Sequence, residues 1–161
     1  MHERAAILIE TLGLLPHREG GHFREIHRSS CRVLPEDGRR SRSGLTAIYF
    51  LLVAGEISRL HRVASDETWH FHEGDPLEIL VASPDFGSVH SHRLGLWAEA
   101  TEPVRVVPSG WWQAARPLGA YSLVSCSVGP GFEFEDFEML RDGAGGAADA
   151  ALRDPRLRPL V

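Results

Sequence analysis

The sequence predicts an all-β domain, a sandwich or closed barrel, with one helix in front and a short helical tail behind. Three observations carry this. After Pro16, short apolar or alternating runs recur, broken by Gly, Pro, Asp and Ser. The helices that a βαβ fold needs between its strands are absent from that region. The length of 161 residues suits one domain and leaves little room for two.

Taken in order, Glu3 to Leu15 reads as a helix, because Leu8, Leu12 and Leu15 fall at helical spacing with Ala5 and Ile9 beside them. Gly13 and Pro16 end it. Gly20 and Gly21 read as a turn. No GxGxxG follows and the next residues form a strand, so a phosphate loop is not supported. The expected strands are His22 to Arg28, Thr46 to Val53, Glu67 to His72, Leu77 to Ala82, Val104 to Val107 and Ala120 to Val128. Gly143 to Gly146 is an expected flexible break, and the Ala-rich segment after it a weak helix. No internal repeat or linker occurs. The expectation is one domain over 1–161, with its core at about 17–140 and a tail at 141–161.

All 17 basic residues are arginine, so lysine-based Schiff-base chemistry and a P-loop are excluded. The net charge of -5 leaves no footprint for nucleic acid. Arg39, Arg40 and Arg42 read as a solvated loop. Cys31 and Cys126 lie far apart and outside any CxxC, so free buried thiols are expected. Glu3, Arg4 and Glu10 interrupt the N-terminal apolar residues, so no signal peptide or membrane span is expected; a soluble, cytoplasmic protein is. Nine histidines and a single glutamine, Gln113, complete the unusual composition.

The stretch from Gly55 to Gly74, GEISRLHRVASDETWHFHEG, places Gly55, His61, Glu67 and Gly74 at the intervals of G-x5-H-x-H-x3-E-x6-G, with Val63 in place of the second histidine. PSGWWQ sets Pro108, Gly110 and Gln113 at the spacing of P-x-G-x2-H, with glutamine for histidine and Pro117 at the later asparagine position. These segments resemble the two motifs of the cupin superfamily. EGGHFRE, VVPSGWWQAA and the terminal PGFEFEDFE follow the order of a small cupin family of about this length, from Leu12 to Leu140. The resemblance implies a double-stranded β-helix, or jelly-roll barrel, often a homodimer. The Leu-His-Arg around His61 is similar to the catalytic-histidine segment of the sugar-nucleotide 3,5-epimerases. There a histidine, oriented by a carboxylate, removes a proton next to a carbonyl without a metal.

Within that fold, His61 and Glu67 aim at one point in the barrel. The expected roles are general base for His61 and orienter for Glu67. A core His–Glu hydrogen bond without chemistry is the alternative. Arg24, Trp69, His70, Trp112 and Gln113 are the expected substrate contacts, with Trp69 and Trp112 as walls, Gln113 for a carbonyl or hydroxyl, and Arg24 for a carboxylate or phosphate, a surface ion pair suiting Arg24 equally. On a continuous strand His70 and His72 face away from Glu67, so a dimer interface or a solvated face also suits them. Glu133, Glu135, Asp136 and Glu138 read as a solvated edge or an interface, with one carboxylate reaching the pocket. No cofactor is expected. If a divalent metal binds, His61, Glu67 and Gln113 are its donors. The expected function is binding of a small polar metabolite, with metal-independent, epimerase- or isomerase-like proton transfer. A metal-dependent cupin (dioxygenase, isomerase or hydrolase) and a non-catalytic binding module are the alternatives.

Overall fold

Helix α1 (Glu3–Leu12) opens the computed structural model, which describes residues 2–140 and 146–161. It stops three residues short of the expected Leu15. Gly13 takes a left-handed φ of 61°, and the N–H groups of Gly13 and Leu14 bond the carbonyls of Glu10 and Ile9. This is a Schellman cap, which glycine forms without steric cost. Leu15 instead enters a two-residue strand, β1 (Leu15–Pro16).

Twelve further strands follow: β2 (His22–Arg28), β3 (Arg32–Val33), β4 (Arg42–Ser43), β5 (Thr46–Val53), β6 (Ser58–Val63), β7 (Asp66–Gly74), β8 (Leu77–Ala82), β9 (Val89–Leu94), β10 (Val104–Val107), β11 (Trp112–Pro117), β12 (Tyr121–Gly129) and β13 (Phe137–Met139). Two antiparallel sheets result. One runs β1-β2-β5-β12-β7-β10 and the other β13-β6-β11-β8-β9. They face each other as a jelly roll, and β3 pairs with β4 alone.

The core explains the patterning. Phe50 and Leu52 of β5 join Trp69, Ile79, Val81 and Val124 between the sheets. Leu51 and Val53 point the other way, under α1, with Tyr121 and Leu123. Both faces of β5 are therefore covered, and its sequence is continuously apolar rather than alternating. The tail forms α2 (Ala147–Ala151) and a last turn at Arg158–Leu160. Ala151, Leu157 and Leu160 cover the outer face of the second sheet, over Leu60, Trp112 and Leu140. The expected break at Gly143 to Gly146 lies outside the described residues, except for Gly146.

Two expectations change. Arg42 is not solvated: it is 1% exposed and ion-paired with Asp136, which also accepts from Arg39. This pairing ties the segment before β13 to the β3–β4 ribbon. Of the two cysteines only Cys126 is buried; Cys31 is exposed. Among the described residues no helix is long and apolar enough to cross a membrane.

Candidate functional site

A cavity of about 100 Å3 lies between the two sheets. That volume holds several waters or a small ligand. Its inner end carries His17, Glu19, His61, Glu67 and Cys126, and its outer end Glu25, Arg28 and Glu133. Phenylalanines wall the space between.

The inner end of the cavity carries two acidic groups, and backbone geometry delivers the first. Residues 17–21 fold into a tight loop, with His17 N–H bonding the Gly21 carbonyl and Gly20 N–H the His17 carbonyl. Gly20 has a φ of 114°, and a Cβ there would stand 2.1 Å from the Ile57 carbonyl oxygen. Only glycine fits that approach. The Arg59 N–H bonds the Glu19 carbonyl at 2.9 Å, which pins the loop to β6 and turns the Glu19 side chain into the barrel.

Strand parity delivers the rest. His61 on β6 pairs with Gln113 on β11, and both point inward. The adjacent pair, Arg62 and Trp112, points outward. Glu67 and Trp69 of β7 share the inner face.

Proton positions follow from the partners. The Arg59 carbonyl can only accept, so the contact of His61 Nδ1 with it at 2.7 Å places a hydrogen on Nδ1. In the neutral ring Nε2 is then bare, and it lies 3.3 Å from Glu19 Oε2. Glu19 Oε1 accepts from the Ser58 hydroxyl at 2.7 Å. His17 Nδ1 lies 3.4 Å from Glu19 Oε2 and accepts from the Glu19 N–H. One carboxyl thus sits between two imidazoles. Glu67 is held otherwise. Trp69 Nε1–H donates to Gln113 Oε1 at 2.9 Å, which fixes the amide, and Gln113 Nε2 donates to Glu67 Oε2 at 2.5 Å. The Cys126 thiol lines the cavity beside the same carboxyl.

Burial dominates the electrostatics. It pushes the Glu19 and Glu67 carboxyls above their ordinary values, opposed for Glu19 mainly by His17 and for Glu67 mainly by His61. It pushes His61 down, with the Glu67 charge opposing, and His17 down, with Glu19 opposing. The same burial, reinforced by the Glu67 charge, holds the Cys126 thiol well above 9.0. At the Glu19–His61 contact, a carboxyl raised and an imidazole lowered favour a neutral acid donating to a neutral ring.

The expected site residues separate into three groups. His61 and Glu67 line the cavity together. Gln113 and Trp69 stand behind Glu67 and hold it, without lining the cavity. Trp112, Arg24 and His70 lie elsewhere. Trp112 is on the outer face of its strand, stacked on Phe86 at 5.6 Å and beneath the Arg62 guanidinium at 4.6 Å. Arg24 is exposed and donates to the Leu12 carbonyl at the end of α1. His70 pairs with Val104 of edge strand β10, on the face away from Glu67. The orienters of His61 are the Arg59 carbonyl and Glu19, not a hydrogen bond from Glu67. Of the acidic run, Glu133 reaches the cavity.

Neither His17 nor Glu19 was expected. Glu19 begins the EGGHFRE segment, and the two glycines were the available signal that its backbone bends sharply.

A metal needs convergent lone pairs. Gln113 offers none to the cavity, since its oxygen accepts from Trp69 and its amide hydrogen faces Glu67. Among the described residues no group of three or more His, Cys, Asp or Glu is arranged to hold an ion. The set His61, Glu67 and Gln113 does not fit a metal centre.

Comparison with known proteins places this geometry. An uncharacterized protein of Saccharomyces cerevisiae is 32% identical over 150 residues, 83% of this chain and 74% of its own length. The crystal structure of a Shewanella oneidensis protein superposes with a TM-score of 0.83 at 34% identity, covering 99% of this chain and 98% of that one. Oxalate decarboxylase from Bacillus subtilis shares the fold, with a TM-score of 0.58 at 16% identity over 86% of this chain and 33% of that one. The model of the family described as Cupin superfamily (DUF985) matches residues 6–140, and the chain belongs to that family.

Proposed function

We propose that the barrel cavity binds a small carbonyl-bearing metabolite and moves a proton on it, as a metal-independent isomerase or epimerase. The observation that carries this reading is the approach of His61 Nε2 to Glu19 Oε2 at 3.3 Å, with Nδ1–H already committed to the Arg59 carbonyl. Two titratable groups with opposite environmental shifts in one apolar chamber make an acid–base pair. Glu19 gives its proton to the carbonyl oxygen of the substrate. His61 Nε2 takes a proton from the adjacent carbon. The products of this half-step are an enol and an imidazolium–carboxylate pair, and return of the two protons completes the isomerisation. Gln113 and Trp69 hold Glu67 in place, and its charge stabilises the imidazolium.

The test is deuterium exchange. The full chain is incubated in D2O with a panel of aldoses, ketoses and amino ketones, and incorporation next to the carbonyl is followed by NMR. Exchange is expected with at least one compound, and His61→Ala is expected to slow it by about 10²–10⁴-fold. Binding of panel members without any exchange would replace this reading by a non-catalytic binding module.

A further inference from the structure

We infer that the ligand of this cavity is an organic cation, an amine or quaternary ammonium attached to an apolar or aromatic body. The inference rests on the cavity being the ligand site and concerns what enters it. Its lining contains Phe23, Phe50, Phe132, Phe134 and Phe137, five aromatic rings around a small space. Aromatic faces attract cations through their quadrupole, most strongly where water is excluded.

The charges point the same way. Four carboxylates line the cavity, Glu19, Glu25, Glu67 and Glu133, against the single guanidinium of Arg28. That guanidinium is already occupied. Its Nε and Nη2 donate to Glu25 at 3.1 and 2.8 Å, its Nη1 to Glu133 at 2.9 Å, and its Nη2 also to the Phe132 carbonyl. An entering anion finds no open cationic partner in the lining. Arg18, with its guanidinium 5.9 Å from the centre of the Phe134 ring, stands outside it. An entering cation meets Glu19 and Glu67, whose partners are a serine, an amide, a thiol and two imidazoles. Burial keeps both carboxyls raised in the free protein. A bound ammonium supplies the compensating charge, and Glu67 ionises against it while Glu19 keeps the proton it gives in the proposed reaction.

Three probes of similar size test this by titration calorimetry on the full chain: benzylammonium, benzyl alcohol and benzoate. The cation is expected to bind at least about tenfold more tightly than the alcohol, the worth of one charge-assisted contact, with benzoate weakest. Glu67→Gln is expected to weaken the cation about tenfold and to leave the alcohol unchanged. Phe132→Leu, which keeps an apolar wall without a π face, is expected to weaken the cation selectively. Equal or tighter binding of the alcohol or benzoate would overturn the cation inference and leave the cavity as a ligand site. No binding of any probe at millimolar concentration would overturn both.

Discussion

His61 Nε2 lies 3.3 Å from Glu19 Oε2, and the bond from His61 Nδ1–H to the Arg59 carbonyl leaves them a single proton to share. The two residues come from separate parts of the barrel, a glycine turn and strand β6. Neither can move without the other, because the Arg59 N–H also bonds the Glu19 carbonyl. The backbone that positions Glu19 is thus hydrogen-bonded to the strand that carries His61.

The tautomer of His61 follows directly. At pH 7 the ring is expected to be neutral with its hydrogen on Nδ1, since burial lowers its pKa and the Arg59 carbonyl selects that nitrogen. Imidazole 15N chemical shifts report this. A ring carrying its hydrogen on Nε2 would contradict the arrangement, and Glu19→Ala should leave Nδ1 protonated while removing the partner of Nε2.

Glu67 makes a prediction about pH. Its folded pKa is raised by burial, so in the folded state it binds its proton more tightly than in the unfolded chain. The stability this lends is fully present below the unfolded value, about 4.3, and is lost as pH rises through the raised folded value. Glu67→Gln cannot titrate and keeps an oxygen to accept from Gln113. Its melting temperature relative to the unchanged protein is therefore expected to improve steadily from pH 4 to pH 8. A constant difference would show that Glu67 titrates normally. His61 works in the opposite sense: its lowered pKa costs stability as pH falls below about 6.5, and more so in Glu67→Gln, which lacks the charge that opposes the lowering.

The barrel was legible because strand periodicity and turn residues are local signals. His61 and Glu67 were legible because their spacing matches the first cupin motif, whose two strands face each other across the barrel. Trp112 was misplaced for a reason the same rule contains: it is the neighbour of Gln113, and adjacent strand residues point to opposite faces. His17 and Glu19 were not legible, since no periodicity marks a loop side chain that turns inward. Arg42 and Asp136 looked solvated because burial of an ion pair depends on a partner 94 positions away.

Gly20→Ala tests the turn. The added Cβ meets the Ile57 carbonyl at 2.1 Å, and the φ of 114° is strained for any L side chain. The expected loss is more than about 2 kcal/mol of stability, measured by denaturant unfolding. Any folded fraction should also lose ligand affinity, because Glu19 follows the loop. Wild-type stability would show that the turn relaxes freely.

Trp112→Ala separates packing from binding. Trp112 is 1% exposed beneath Leu157 and Leu160 of the tail, and truncation of such a residue costs about 3–5 kcal/mol. The mutant should lose that stability, and Trp112→Phe much less. Ligand affinity per folded molecule should stay unchanged in both, since Trp112 does not line the cavity. Selective loss of affinity in Trp112→Phe would return this residue to the pocket.

The two thiols should differ in reactivity. Cys31 is exposed, and Cys126 is 2% exposed at the inner end of the cavity. Burial and the neighbouring Glu67 and Glu19 charges hold the Cys126 thiol well above 9.0, so almost no thiolate forms at neutral pH. A bulky aromatic disulfide reagent should therefore titrate one thiol in the folded protein and two after denaturation. Glu67→Gln removes the larger of the two opposing charges, which should raise the slow reaction rate of Cys126 at pH 8 to 9. Two fast thiols in the folded protein would mean that the cavity floor is open to water, and the desolvation that sets His61, Glu19 and Glu67 apart from ordinary groups would then be lost with it.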